Sequence, residues 1–111
     1  VTGVQTCALP ICAHAYFMKS LLYSKIPGKD IIIVGDENDD KTKAMIKEIN
    51  STYLPFATVV INTGDGRLSS INPELKEHKS LQGKTTAYIC ENFTCKEPIT
   101  DLQKFLGNIK N

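Results

Sequence analysis

Two cysteines separated by four residues are the side chains in this sequence best suited to redox or metal chemistry. Cys90 ends a short apolar run, and Cys95 follows it in the segment CENFTC. A thioredoxin-type pair has two intervening residues and lies at a helix N-terminus, which lowers the pKa of the attacking thiol. Here four residues intervene and the next helix signal begins at Thr100, so the pattern does not fit that site. A redox-responsive pair, a structural disulfide, half of a metal site, and a strand cysteine beside an ordinary loop thiol all stay open.

The histidines bear on the metal alternative. A structural zinc site uses four protein ligands, of which two cysteines would supply half. The sequence has His14, in a predicted helix, and His78, in the charged stretch 76–79. A histidine in a charged stretch is typical of a solvated surface, and neither histidine lies at a recognisable spacing from a cysteine. We therefore predict no metal and no cofactor.

Acidic residues form a second candidate site, at the carboxyl ends of two predicted strands. Asp36 and Asp39 follow the first strand, and Asp65 follows the second. Ligands of open α/β sheets bind at this edge, so these carboxylates are a possible ligand edge. The competing interpretation is that Asp39 or Asp40 caps the next helix, whose free amides and dipole favour an anion. A magnesium pocket like that of a response-regulator receiver domain would need more strands than are predicted here.

Alternating helices and strands position these residues. The β-branched run 31–34 is typical of a strand buried on both faces of a parallel sheet. The predicted strands are 30–35, 57–62 and 86–90, and the predicted helices are 13–23, 41–54, a short one from Pro73 and one from Thr100. Two helices have an apolar face, formed by Met45, Ile46, Ile49 and Tyr53 in one and by Leu102, Phe105, Leu106 and Ile109 in the other. This order predicts an α/β fold with a small three-stranded, mostly parallel sheet flanked by helices.

Two long segments, IIIVGDENDDKTKAMIKEINSTYLPFATVVI and AYICENFTCKEPITDLQKFL, resemble the C-terminal end of the YyaL-like thioredoxin-domain-containing family. That family includes the mammalian spermatogenesis-associated thioredoxin-like proteins. The resemblance covers roughly residues 13–111. It implies an N-terminal thioredoxin-like domain, then an (α/α) barrel similar to N-acylglucosamine epimerases, then a small α/β tail. On this basis residues 13–28 are expected to be a helix and linker from the barrel, and residues 29–111 the C-terminal α/β domain.

The first twelve residues have a different character. The string VTGVQTCALPIC is similar to a translated sequencing adapter, and it lacks the Lys or Arg that the start of a signal peptide would carry. We therefore predict that residues 1–12 are a non-native leader. Without them two of the four cysteines are left, which is typical of a reducing cytoplasm rather than of a disulfide-rich secreted scaffold.

Charge and hydropathy argue against two classes of partner. The net charge is +1, and the lysines are scattered among nearly equal numbers of acids, whereas nucleic-acid binders usually show a basic patch. The sequence has no apolar run of the roughly 20 residues that span a bilayer. We therefore expect neither nucleic acid nor a membrane as a partner.

The functional expectation follows from the resemblance. The family's thioredoxin-like cysteine motif and barrel cleft have no match in this sequence, so no catalytic residue is carried over. The parent protein is expected to do thiol-redox or sugar-epimerase-like chemistry, and this chain to be its non-catalytic structural or docking domain. Its partners would be the barrel and the thioredoxin-like domain of the same polypeptide. The alternatives are a small-ligand or anion-binding α/β module and a redox-responsive module using Cys90 and Cys95.

Overall fold

The computed structural model describes the backbone of residues 2–110 and the side chains of residues 14–110. Within that part of the chain four strands form one mixed sheet in the order β2-β1-β3-β4. The strands are β1 (Lys29–Val34), β2 (Ala57–Asn62), β3 (Thr86–Glu91) and β4 (Thr94–Cys95). The helices are α1 (Thr2–Lys25), α2 (Asp40–Ser51), α3 (Arg67–Ile71) and α4 (Leu102–Lys110), with a 3₁₀ turn at Pro73–Lys76. The predicted leader, residues 1–12, lies outside the described side chains, and its non-native origin stays a prediction.

The α/β class is confirmed, but the prediction of three mostly parallel strands is wrong. The central strand β1 pairs in parallel with β2 and antiparallel with β3. A parallel crossover normally uses a full helix to return the chain across the sheet, and the connection from β2 to β3 contains a five-residue helix and a four-residue 3₁₀ turn. The chain therefore re-enters the sheet beside the carboxyl end of β1, where Thr86 pairs with Val34.

The fourth strand results from a tight hairpin that the sequence analysis missed. Asn92 and Phe93 both have positive φ angles, of 51° and 62°, which is the backbone of a two-residue type I′ turn. Such a turn matches the twist of its flanking strands, so Thr94 and Cys95 pair back onto Glu91 and Cys90.

One face of the sheet, termed the closed face, is covered by two amphipathic helices. Ile31 and Ile33 of β1 are fully buried there, as is Phe105 of α4. The other members of this core are Met45, Ile49, Ala87, Ile89, Ile99 and Ile109. Both predicted helical faces are thus used, except that Tyr53 lies beyond the end of α2 and is 89% exposed.

The opposite face, termed the open face, has a thinner cover. Ile32, Val34 and Cys90 pack there against Leu75 of the 3₁₀ turn. Val60, Leu68 and Tyr88 are partly buried around them. Because short elements cover this face, its edge at β4 stays accessible.

Helix α1 is attached to the sheet domain by few contacts. The ring of Tyr23 packs edge-on against Phe56 with centroids 5.1 Å apart, and its hydroxyl donates to the Pro55 carbonyl at 3.2 Å. Upstream on the same helix, Tyr16 and Phe17 are 79% and 63% exposed. Within residues 2–110 no helix combines the length and apolar character needed to cross a bilayer.

Candidate functional site

The hairpin brings Cys90 and Cys95 together on the open face. They are directly opposed residues of β3 and β4, so their side chains lie on the same side of the sheet, and they are joined in a disulfide. Cys90 is 7% exposed, whereas Cys95 is an exposed residue at the rim. A buried sulfur bonded to an exposed one gives a disulfide that a reductant can reach from one side.

His78 faces this disulfide. Its Nε2 lies 3.6 Å from Cys95 Sγ, and its Nδ1 lies 3.2 Å from the Glu74 carbonyl oxygen. A carbonyl oxygen accepts and cannot donate, so Nδ1 carries the hydrogen. In the neutral imidazole the lone pair on Nε2 then faces the sulfur.

Tyr88 holds the imidazole in place. The two rings meet edge to face with centroids 4.7 Å apart, a favourable arrangement for aromatic pairs. The Tyr88 hydroxyl donates to the Lys79 carbonyl at 2.6 Å, which ties the segment after His78 to β3. The imidazole therefore has a fixed position on the open face.

A cleft of about 600 Å³ surrounds these groups. Three carboxylates and one ammonium group contribute to its lining, from Asp30, Glu74, Glu77 and Lys96. The balance of charge is negative, which favours a cation over an anion.

The structure thus brings together both residues of the predicted redox pair and adds a third that the sequence analysis assigned to solvent. His78 is half-buried rather than solvated. No spacing rule could identify it, because it lies 17 residues before Cys95 and reaches it through a packed 3₁₀ turn. His14, by contrast, is exposed on α1. Whether the pair acts in redox chemistry stays a prediction.

The predicted ligand edge is brought together in part. Asp36 and Asp65 line one cleft of about 440 Å³ at the carboxyl ends of β1 and β2. Each is already engaged locally, since Asp36 accepts from the Asn38 amide at 2.8 Å and Asp65 pairs with Arg67 Nε at 3.1 Å. Its role in ligand binding stays a prediction.

Asp39 lies apart from that cleft, at the start of α2. It is the N-cap residue, as one of the two capping alternatives predicted, and accepts from the Lys41 amide. It also accepts from the Thr85 hydroxyl at 2.6 Å. This hydroxyl, followed by the Lys41 amide, holds the pKa of the Asp39 carboxyl below its ordinary range, because both hydrogen bonds favour the charged form.

A buried pair of hydroxyls extends this network. Thr85 Oγ1 donates to Asp39 and lies 2.8 Å from Thr42 Oγ1, so the Thr42 hydroxyl donates to Thr85. Gly35 lies against both threonines, and a Cβ there would stand 2.8 Å from Thr42 Oγ1 and 2.9 Å from Thr85 Oγ1. These four residues join the end of β1, the start of α2 and the entry to β3.

The known proteins that this chain is similar to are much longer than the chain itself. The chain is 39% identical over 75 residues to human spermatogenesis-associated protein 20, and 36% identical over 75 residues to the rat and mouse proteins of that name. The matched region is 66% of this chain but 10% of each relative. No family model matches the chain, and no solved structure does. The similarity agrees with the spermatogenesis-associated part of the family resemblance.

Proposed function

We propose that this chain is a non-catalytic structural domain that docks, through α1, onto the remainder of a longer polypeptide. The observation that carries the proposal is the apolar surface of α1. The large apolar side chains exposed there are Tyr16, Phe17, Met18, Leu21, Leu22 and Tyr23, between 40% and 79% accessible. Contiguous apolar surface of this kind marks interaction sites.

The length of the relatives is the argument that α1 docks onto another part of the same polypeptide. They are much longer than the region they share with this chain, which supports a longer polypeptide whose other domains would be within reach of this one. Covalent linkage makes such docking intramolecular, and weak contacts then suffice because the effective concentration is in the millimolar range. The family resemblance supports a helical barrel as the docking surface, preceded by a thioredoxin-like domain.

The first test is the coding sequence upstream of residue 13 in an independent read of the source genome. We expect an open frame that continues into further domains. A native start codon directly before Ala13 would contradict the proposal.

The second test measures docking itself. The upstream polypeptide, produced separately, is titrated with the 111-residue chain by calorimetry. We expect binding by the original chain and weakening of about tenfold or more in a Phe17→Ser/Leu21→Ser variant, because each lost side chain removes roughly 1.5–3 kcal/mol of apolar burial. The matched control is Lys19→Ala/Ser20→Ala on the same helix, which should bind like the original chain. Equal binding by both variants would exclude α1 as the docking surface.

The disulfide on the open face favours a second candidate function, a redox-responsive module. The observation behind it is the exposed residue Cys95, whose sulfur lies beside His78. In the cytoplasm expected from the sequence the thiols would be the resting form, and oxidation would join β3 to β4. Thiol counting on the folded protein tests this, with no reactive thiol at positions 90 and 95 after oxidation and two after reduction.

A further inference from the structure

We propose that His78, Cys90 and Cys95 form a zinc site when the disulfide is reduced. The β3–β4 hairpin would then alternate between a disulfide-bonded form and a metal-bound form. The proposal is independent of docking through α1. It rests on the redox-responsive candidate in one respect, since the metal requires the two free thiols.

The ligand atoms are already grouped as a metal ion requires. One nitrogen and two sulfurs, from His78, Cys90 and Cys95, all lie within 4.8 Å of one another. Tetrahedral zinc, with bonds of about 2.3 Å to sulfur and 2.0–2.1 Å to nitrogen, places such ligands roughly 3.6 Å apart. The observed distance from His78 Nε2 to Cys95 Sγ is 3.6 Å. Reduction frees the Cys90 sulfur to move to a similar separation from Cys95.

The outer partner that a metal-binding histidine needs is present. Such histidines nearly always donate their second ring N–H to a carboxylate or a backbone carbonyl, which fixes the tautomer and raises the basicity of the ligating nitrogen. The Glu74 carbonyl accepts from His78 Nδ1 in this way. Packing against Tyr88 fixes the plane of the ring.

The chemistry of the donor set selects the metal. Two thiolates and one imidazole suit zinc, whereas magnesium and calcium prefer oxygen ligands. Zinc balances the charge of two thiolates, and the carboxylates lining the cleft add further attraction for a cation. His78, Cys90 and Cys95 line the same cleft as Asp30, Glu74 and Glu77, so water or one of these carboxylates would supply the fourth ligand.

The two forms of the hairpin interconvert by thiol–disulfide exchange and metal binding. A dithiol reductant gives two electrons and two protons to the Cys90–Cys95 bond and becomes a disulfide itself, leaving two protein thiols. Zinc then binds both sulfurs, and the two thiol protons pass to solvent. A disulfide oxidant reverses the sequence and releases the ion.

The experiment uses the full chain with Cys7→Ser and Cys12→Ser, so that the two hairpin cysteines alone respond. The protein is reduced with a phosphine, which does not compete strongly for metal, and its thiols are counted. It is then titrated with Co²⁺, whose thiolate charge-transfer and tetrahedral ligand-field bands report the donor set, and Zn²⁺ is added to displace the cobalt. We expect one Co²⁺ per reduced chain, displacement by Zn²⁺, and no such bands from the oxidised chain.

Variants assign the ligands. We expect His78→Gln and Cys95→Ser each to weaken binding by more than about tenfold, since loss of an outer-sphere partner alone costs about 10–100-fold. His14→Gln, at the exposed histidine of α1, is the matched control and should bind like the parent. Circular dichroism verifies that each variant is folded, and glutamine at position 78 keeps a polar side chain at this half-buried position.

The possible results distinguish the zinc site from the redox-responsive candidate function. Two free thiols without cobalt bands would overturn the metal site and leave the redox-responsive candidate standing, and so would a His78→Gln titration that matches the parent. A disulfide that resists reduction in the folded chain would overturn both.

Discussion

The two faces of this sheet have opposite characters. On the closed face, Ile31, Ile33 and Phe105 are fully buried beneath α2 and α4. On the open face Ile32, Val34 and Cys90 each keep 7% exposure beneath short elements, and polar groups gather at the edge. Alternate side chains of β1 point to opposite faces of the sheet. Neighbouring residues of this strand therefore belong to two different cores. The closed face supplies the stability that lets the open face carry a disulfide, a histidine and a cleft.

The largest effect is expected from truncating the closed face. Phe105→Ala should lower the free energy of unfolding by about 3–5 kcal/mol, because it removes a buried ring and leaves a cavity. Urea denaturation measures this. Phe93→Ala is the matched control, since Phe93 projects fully into solvent at the hairpin turn and should change stability by less than about 0.5 kcal/mol. Similar losses in both variants would contradict the contrast between the faces.

A smaller effect is expected where β1 meets the start of α2. Gly35→Ala should lower the free energy of unfolding by about 1–3 kcal/mol, because its methyl group would overlap the buried hydroxyls of Thr42 and Thr85. Gly107→Ala in α4 is the control with the opposite sign. A Cβ there meets no atom within 4 Å, and alanine should raise stability by about 0.5–1 kcal/mol. Calorimetric melting of both variants provides the comparison, and a neutral Gly35→Ala would show that the two threonines can move apart.

Reduction tests the open face. Breaking the Cys90–Cys95 bond in the presence of a chelator should cost about 2 kcal/mol by the loop-entropy relation, because the bond closes a short loop. Chemical denaturation of oxidised and reduced protein, both with Cys7→Ser and Cys12→Ser, measures the difference. Unchanged stability would mean that the Cys90–Cys95 bond adds nothing to the free energy of unfolding.

The smallest expected effect is on the pH dependence of stability, through the hydrogen bonds of Asp39. The pKa of the Asp39 carboxyl is lowered in the folded chain, so its stabilising contribution is present above the unfolded pKa of about 3.9 and is lost as the pH falls through the lower folded value. Thr85→Val removes the strongest hydrogen bond to this carboxylate. Stability should then fall less steeply between about pH 5 and pH 2 than in the parent.

The matched control for that measurement is Thr52→Val. Its hydroxyl donates to the Glu48 carbonyl rather than to a carboxylate, so the slope of stability against pH should stay that of the parent. The slope is the readout because Thr85→Val also leaves the Thr42 hydroxyl without its buried acceptor. An NMR titration of Asp39 should show a higher pKa in the Thr85→Val variant.

Local pattern predicted the closed face well. The β-branched run of β1 and the 3.6-residue periodicity of α2 and α4 are properties of neighbouring residues, and burial on one face follows from them. The direction of β3 was not predictable in the same way. It depends on how far the connection from β2 can carry the chain, and a β3 sequence pairs equally well in either direction.

The candidate site was harder to predict, for two physical reasons. Asparagine followed by phenylalanine is a poor signal for a type I′ turn, since phenylalanine has no preference for positive φ. The hairpin that places Cys90 opposite Cys95 was therefore not predicted from the sequence. The contact between His78 and Cys95 depends on tertiary packing against Tyr88. The same holds for Thr85 and Asp39, which are 46 residues apart.

The position of α4 in the chain sets the order in which the molecule can fold during synthesis. Phe105 and Ile109 cover Ile31 and Ile33, yet they leave the ribosome after every strand of the sheet. Until α4 emerges, only α2 covers the closed face, and the remainder of that face is an apolar surface in water, open to chaperones and to other nascent chains. The core of the closed face is therefore completed late, and a premature stop before Leu102 would leave the sheet without half of its cover.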